Sequence, residues 1–339
     1  MALDVSESEA DSEGQDHDCP ITTSFMDHEV QSDPWSFITE LHEHCPVHRM
    51  PETGMWMVVD YEATREALLN PETFSNQVRA ADGLLAENHR LHQRILGERG
   101  WGHVSTLQRT APPTHTRYRK LVNRVFTPRR VAAMAPDIDA LANELIGRFV
   151  VSGRCEFMAD FAMPLAGLFI AEQLGLDRDQ ITTFKRWADA MLAPAMRFLS
   201  RDEVIAVAEI ELEAQPHLAA VFADRQAAPR DDLISALVHS HEGDEEPLSV
   251  HELQHLMHQL ITGGFETTTS ALAHGVWLLI EHPDQQELLR SQPELLDGCI
   301  EETLRYWSPV QGLVRMATRD TEICDAVIPA GSVVSMRYG

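Results

Sequence analysis

Residues Ile261–Leu272 read ITGGFETTTSAL, and the reading of this stretch decides the fold. It lies within the longest helical signal of the chain, Ser249 to His282. Ser249 and Glu252 form an S-x-x-E capping box at its start, and Pro283 marks its end. Between them, apolar or small residues recur at 253, 256, 257, 260, 261, 264, 268, 271, 272, 275 and 279, a helical stripe. A helix of that length is about 50 Å long at 1.5 Å per residue, enough to cross a whole domain. Gly263 and Gly264 each weaken it by roughly 1 kcal/mol relative to alanine, and Glu266 is costly to bury as an unpaired ion. The segment is therefore a soft, polar notch near the molecular centre. Two readings remain open. The glycines can serve tight helix packing, with Thr267 to Thr269 bonding back to earlier carbonyls. Alternatively, they let a flat ligand approach the backbone, while Thr267 beside Glu266 relays protons into a dry cavity.

Outward from the notch, the pattern is mostly helical. PVHRM and MWMVVD flank the turn-like PETG and predict a short β-hairpin bending at Thr53-Gly54. YEATREALLN predicts a helix ended by Pro71. Leu84 to Pro113 is ambiguous, with Gly97, Gly100 and Gly102 pointing to a mobile loop. From Thr114 to about Gln226 the pattern is helical, with breaks at Pro128, Pro136, Gly153, Pro164, Gly175, Pro194 and Pro216. DDLISALVHSH predicts a helix followed by the acidic loop EGDEEP. QPELLDGCIEETLRYWSP is helical to Pro309. MATRDTEICDAVIPAGSVVSM reads as β-structure turning at Pro329-Ala330-Gly331.

Composition bounds the function. The formal net charge of −26 argues against nucleic acid or an anionic membrane as the main partner, since both need a cationic footprint. No apolar run approaches the ~18 residues that span a bilayer. The amino terminus lacks a basic residue ahead of an apolar segment, so no secretory signal is expected. Met1 to Asp18 holds seven acidic residues and no basic one, which predicts a solvated, disordered tail over residues 1–20 and a single domain over 21–339. Arg117 to Arg130, RYRKLVNRVFTPRR, holds six basic residues and no acidic one. That is a solvated helix side or a landing site for an anionic ligand or acidic partner. The five cysteines include no CxxC pair and are odd in number, so free thiols in a reducing cytoplasm are expected.

The run GGFETTTSAL resembles the central-helix motif of the cytochrome P-450 family, the haem-thiolate monooxygenases of the bacterial soluble type. The resemblance continues in order. PPTHTRYRKLVNRVFTPRRV is similar to the family's propionate-binding helix, PRDDLISALV to its lead-in, EETLRYWSPV to its E-x-x-R segment, and RMATRDTEICDAVIPAGSVV to the strand region that follows. The resemblance runs from about residue 30 to the end. It implies a mainly α fold with a small β subdomain, the cytochrome P-450 fold, and haem b (iron protoporphyrin IX) as cofactor. It also implies insertion of one oxygen atom of O2 into a C–H bond of a small lipophilic substrate. The roles it implies are proton delivery by Glu266 and Thr267, and room for porphyrin and dioxygen at Gly263 and Gly264. His115 and Arg119, four apart and hence on one helical face, would hold haem propionates together with Arg315. Glu302 and Arg305 would form a buried structural ion pair. An acidic, ferredoxin-type redox partner would meet Arg117 to Arg130. Leu84 to Pro113, Met191 to Leu199 and Val310 to Val314 would line the substrate pocket.

One family element has no counterpart here. The iron-ligating cysteine follows a Phe-x-x-Gly-type motif, and the chain ends at SMRYG before such a region. The thiolate's electron push favours O–O cleavage, so the expectation is a carboxy-terminally truncated oxygenase that does not turn over as it stands. Two other functions compete. HELQH matches the H-E-x-x-H zinc peptidase signature, with His251 and His255 as ligands and Glu252 as base. A haem-free helical module binding an apolar ligand is the non-enzymatic alternative.

Overall fold

The computed structural model describes residues 19, 21, 23–25, 27–78, 84–102, 104–175, 180–196, 199–241 and 246–338. Residues 1–18 and 20 of the predicted tail and most of the EGDEEP loop lie outside the described residues. The chain forms two compact units, one of Met1–Val78 with Gln311–Gly339 and the other of Arg79–Val310.

The first unit carries helices α1 (His28–Ser32), α2 (Trp35–His44) and α3 (Tyr61–Leu69). Its strands are β1 (Val47–Arg49), β2 (Trp56–Val58), β3 (Phe74–Ser75), β4 (Gly312–Ala317), β5 (Thr321–Ile323), β6 (Ala326–Ile328) and β7 (Val333–Arg337). Five strands make one sheet in the order β1-β2-β7-β4-β3, and β5 pairs with β6. The predicted β1–β2 hairpin is present and turns on Gly54 at φ +66, a conformation that suits glycine. Alternation along β2 serves two cores. Trp56 and Val58 face a cluster with Val334 and Met336, while Met57 joins Phe37, Ile38 and Leu41. Cys19 and Cys45 are joined in a disulfide across 26 residues. That overturns the expectation of free thiols for this pair, because spacing alone does not reveal which cysteines the α2–β1 corner brings together. Cys155, Cys299 and Cys324 are free.

The second unit is helical: α4 (Leu84–Arg99), α5 (Thr114–Val125), α6 (Pro128–Phe149), α7 (Met163–Gln173), α8 (Ile181–Met196), α9 (Arg201–Ala227), α10 (Leu233–Val238), α11 (Val250–Gly264), α12 (Glu266–Glu281), α13 (Pro283–Ser291) and α14 (Leu296–Tyr306). α11 is the spine of its core. Leu253, Leu256, Met257 and Ile261 pack with Tyr118, Leu121, Phe184, Trp187, Leu218 and Phe222.

Three expectations needed correction in this unit. Leu84–Arg99 is a helix, not a mobile loop. Docking on α9 holds it: His92 pairs with Glu211, Arg99 with Glu209, and Asn88 Nδ2 donates to Leu199 O at 2.6 Å. Pro136, Pro194 and Pro216 lie inside α6, α8 and α9 rather than ending them. Each removes one hydrogen bond, and the long packed faces on either side outweigh that loss. The Ser249–His282 helix is interrupted at Phe265, between α11 and α12. The backbone bonds Phe265 N to Ile261 O (3.0 Å) and Thr269 N to Phe265 O (3.1 Å) persist. The interruption is therefore a local distortion. Thr267 Oγ1 donates to Gly263 O at 2.5 Å and Thr269 Oγ1 to Phe265 O at 2.8 Å, and such back-bonding bends helices.

Candidate active site

α11 lays His255, His258, Gln259, Thr262 and Gly263 along one face, and Thr267 continues that face from α12. These residues form one wall of a cavity of about 310 Å³. α4 supplies His89, His92, Gln93 and Leu96 at i, i+3, i+4 and i+7. Met191, Leu192 and Pro194 of α8, Glu211 of α9, and Gln108 and Arg109 complete it. A single side chain fastens the adjoining Trp101 segment to α9. Gln215 Oε1 accepts from Trp101 N at 2.7 Å and its Nε2 donates to Trp101 O at 3.1 Å.

The two glycines of the notch differ. A Cβ at Gly263 would meet nothing within 4 Å, whereas one at Gly264 would lie 2.9 Å from Ile170 Cδ1. Gly263 keeps the cavity open beside Thr267; Gly264 lets α7 pack against α11. The packing reading thus holds at Gly264, while at Gly263 the backbone is open to the cavity. Glu266 is half-buried and is not among the residues lining the cavity.

The cavity is more polar than its predicted lining. Glu211 is 7% exposed, and its Oε1 lies 2.9 Å from His92 Nε2. Burial lowers the pKa of His258, with Arg109 and neighbouring imidazoles adding to it and Glu211 opposing. Burial likewise lowers His255. Partial burial, then Arg109 and His92, lower His89. At neutral pH these three rings are uncharged. Arg109 stands at the exposed rim, its guanidinium without a hydrogen bond or ion pair among the described residues. Of the predicted lining, Leu84–Pro113 and Met191–Leu199 contribute residues.

Glu211 was missed in the sequence, yet it carried a signal. It sits on the buried stripe Val204, Val207, Ala208, Glu211, Ala214, Leu218 of α9, and an acid on an apolar stripe needs a partner. His92 and Arg109 gave no such signal, because nothing local distinguishes them from surface residues.

The other predicted residues are placed as follows. His115 is half-buried and Arg119 exposed on α5, neither with an anionic partner among the described residues. Arg315, in β4, donates only to the carbonyl of Val314, at 3.0 Å. Glu302 and Arg305 do pair, at 2.6 Å, but with side chains 61% and 67% exposed. The expected burial is absent because α14 turns this pair to solvent, with Tyr306 beside it 52% exposed. In the basic segment, Arg117 bonds Glu252, Arg124 bonds the carbonyl of His241 at 2.7 Å, and Arg130 faces Asp231 at 3.7 Å. Much of the predicted basic face is thus engaged within the fold.

HELQH does not form a zinc site. His255 Nε2 accepts from Val104 N–H at 3.3 Å while Nδ1 donates to His251 O at 3.0 Å, so both ring nitrogens are occupied. His251 stacks on Trp101. Glu252 caps α11 from the Ser249 backbone and accepts from Arg117 and from the Tyr118 hydroxyl, each at 2.8 Å. The motif is structural, and the zinc peptidase reading falls.

For a flat, dianionic group such as haem, the fit is good on one side. Gly263 leaves the open approach and Thr267 supplies a hydroxyl; His115 and Arg119 are not among the residues lining the cavity. No free thiol lines this cavity, so an axial thiolate has no counterpart among its described residues.

Comparison with known proteins agrees with this geometry. The Cytochrome P450 family description matches residues 180–338. The chain is 32% identical over 309 residues to cytochrome P450 monooxygenase PikC of Streptomyces venezuelae, covering 89% of this chain and 70% of that protein. It is 32% identical over 305 residues to 6-deoxyerythronolide B hydroxylase of Saccharopolyspora erythraea, covering 88% and 73%. Its fold superposes on cytochrome P450 CYP109Q5 from Chondromyces apiculatus with a TM-score of 0.76 at 29% identity, over 93% of this chain and 76% of that one. No helix among the described residues is long and apolar enough to cross a membrane. With a glycine-opened central helix over a walled cavity, and with relatives this similar along most of its length, the chain belongs to the cytochrome P450 family of haem-dependent monooxygenases.

Proposed function

We propose that the cavity against α11 holds the organic substrate, with Thr267 and Glu266 managing protons beside it. The observation that carries this reading is the open approach at Gly263 next to the Thr267 hydroxyl, within a cavity whose apolar walls are Leu96, Met191 and Leu192. Haem, when bound, supplies the oxidising power that inserts one atom of O2 into a C–H bond. Thr267 donates to the Gly263 carbonyl, which fixes its oxygen and leaves its acceptor lone pairs for a proton donor in the cavity. Glu266, next in the chain and half-buried, passes protons from the solvent side. His115 and Arg119, four apart on α5, are the anchors for the propionates, in keeping with their lack of anionic partners among the described residues. The Glu302–Arg305 pair stabilises α14.

In an enzyme form that carries the haem-ligating thiolate, Thr267→Ala should leave haem uptake unchanged and sharply reduce the fraction of consumed O2 that appears in product, since a general acid–base group contributes about 10²–10⁴-fold. Unchanged coupling would remove the proton role. His115→Ala and Arg119→Ala should each weaken haem uptake in an absorbance titration. Electrons come from an acidic ferredoxin-type partner in the cytoplasm, docking at the residual exposed charge of Arg129. Arg129→Glu should slow electron transfer, and added salt should narrow the difference from wild type. Equal rates at low salt would discard this docking face.

A further inference from the structure

The cavity contains an imbalance that hydroxylation of a purely apolar molecule does not explain. Among the described residues its one lining carboxylate, Glu211, is already engaged by His92 at 2.9 Å. Among the same residues its one permanent cation, Arg109, has no such counter-ion. Beside Arg109 on the lining stand His89 and His258, which make no hydrogen bond to any described residue. Each neutral imidazole keeps one N–H donor for a guest. An unpaired guanidinium flanked by free imidazole donors suits an anionic oxygen group, which it can take as a fork. The apolar remainder of the wall, Leu96, Met191 and Leu192, leads from this rim toward Gly263 and Thr267.

Resting on the reading of this cavity as the substrate site, we infer that the substrate is an amphiphilic anion. Its carboxylate or phosphoryl group is held by Arg109 with His89 and His258, and its apolar body lies along α8 toward Gly263. A cationic substrate is disfavoured, because Glu211 would have to give up His92 to receive it. Arg109 is a positioning residue. It sets which carbon of the guest reaches Thr267, and it takes no part in the oxygen chemistry.

The test uses the full chain and three ten-carbon probes, decanoate, decyl phosphate and 1-decanol, with binding measured by calorimetry in the wild type, Arg109→Gln and Arg109→Lys. Arg109 lies at the exposed rim, so both variants should fold, and their circular dichroism and melting temperature should match the wild type. The anionic probes should bind at least tenfold more tightly than decanol. Arg109→Gln should abolish that advantage without changing decanol affinity, Arg109→Lys should restore part of it, and added salt should shrink it. Whichever of decanoate and decyl phosphate binds more tightly identifies the oxygen group. Decanol binding as tightly as the anions, or anion affinity unchanged in Arg109→Gln, overturns the inference. Haem uptake is measured on the same preparations. Its loss would count against the oxygenase reading, while the calorimetric comparison would still decide the anion site.

Discussion

Gly264 and Gly263 are adjacent in sequence, but the surrounding protein gives them different tasks. Gly264→Ala should lower stability by about 1–3 kcal/mol, the usual cost of overpacking, since the new methyl would press on Ile170. Gly263→Ala, whose methyl meets nothing, should keep or raise stability by up to about 1 kcal/mol and instead weaken binding of any guest in the cavity. Thermal melts of the two variants separate these roles, and equal losses would refute them. At the β5–β6 turn, Cys324 and Asp325 both adopt positive φ, 46 and 64 degrees, as a type I′ hairpin requires. Asp325→Gly should therefore stabilise the fold by a few tenths to about 1 kcal/mol. The notch itself was legible in the sequence, because two glycines and three threonines break an otherwise regular stripe. The division of labour was not, since it depends on Ile170, some ninety positions away.

Among the elements, α11 shows how a catalytic motif can be mimicked by a helix cap. The Ser249–Glu252 box was readable from its spacing, and the structure has both reciprocal bonds. The partners from α5 were not readable, because Tyr118 and Arg117 lie more than 130 residues away. Burial, aided by Glu252, pushes the Tyr118 hydroxyl up to about 12. Burial also opposes the charge on Glu252, yet the Ser249 backbone, Tyr118 and Arg117 hold its pKa below the usual carboxylate value. A depressed carboxylate adds stability above its unfolded pKa that is lost as pH falls through the folded one. The lowered histidines His255 and His258 act in the same direction and start earlier, as pH drops below their ordinary 6.5. Stability should thus decline in two stages on acidification. Glu252→Gln should lower stability at neutral pH and flatten the second stage in a denaturant series run from pH 7 to 4. A second stage of unchanged steepness would show that this cap does not govern the acid limb. α4 was misread for the same physical reason that α11 was partly opaque. Its own periodicity is weak, and its helix is held by charged and polar contacts to α9.

Across the whole molecule, most of the order and type of elements followed from periodicity and caps, while long-range closures did not. The Cys19–Cys45 link is one such closure, and reduction tests it. Opening a loop of this length costs about 3 kcal/mol in the chain-entropy account. A reductant should therefore lower the melting temperature of the wild type and have no effect on Cys45→Ala, whose own melting point should already be low. A Cys45→Ala variant melting with the wild type would show that the link is idle. The exposed apolar side of α14 is another long-range matter. Leu296, Ile300 and Leu304 recur at i, i+4 and i+8 on one exposed face, and none of the described residues buries it.

The Gln215 clamp has a consequence for motion. Trp101 lies in a segment without regular structure, where amides ordinarily trade their protons with solvent within seconds or faster. Here one carboxamide holds both its N–H and its carbonyl against α9, and Gln254 Nε2 in turn grips the Gln215 carbonyl at 2.9 Å. The Trp101 amide should therefore report the opening of the cavity roof as a slow deuterium-exchange signal, protected together with α9 and released in step with it.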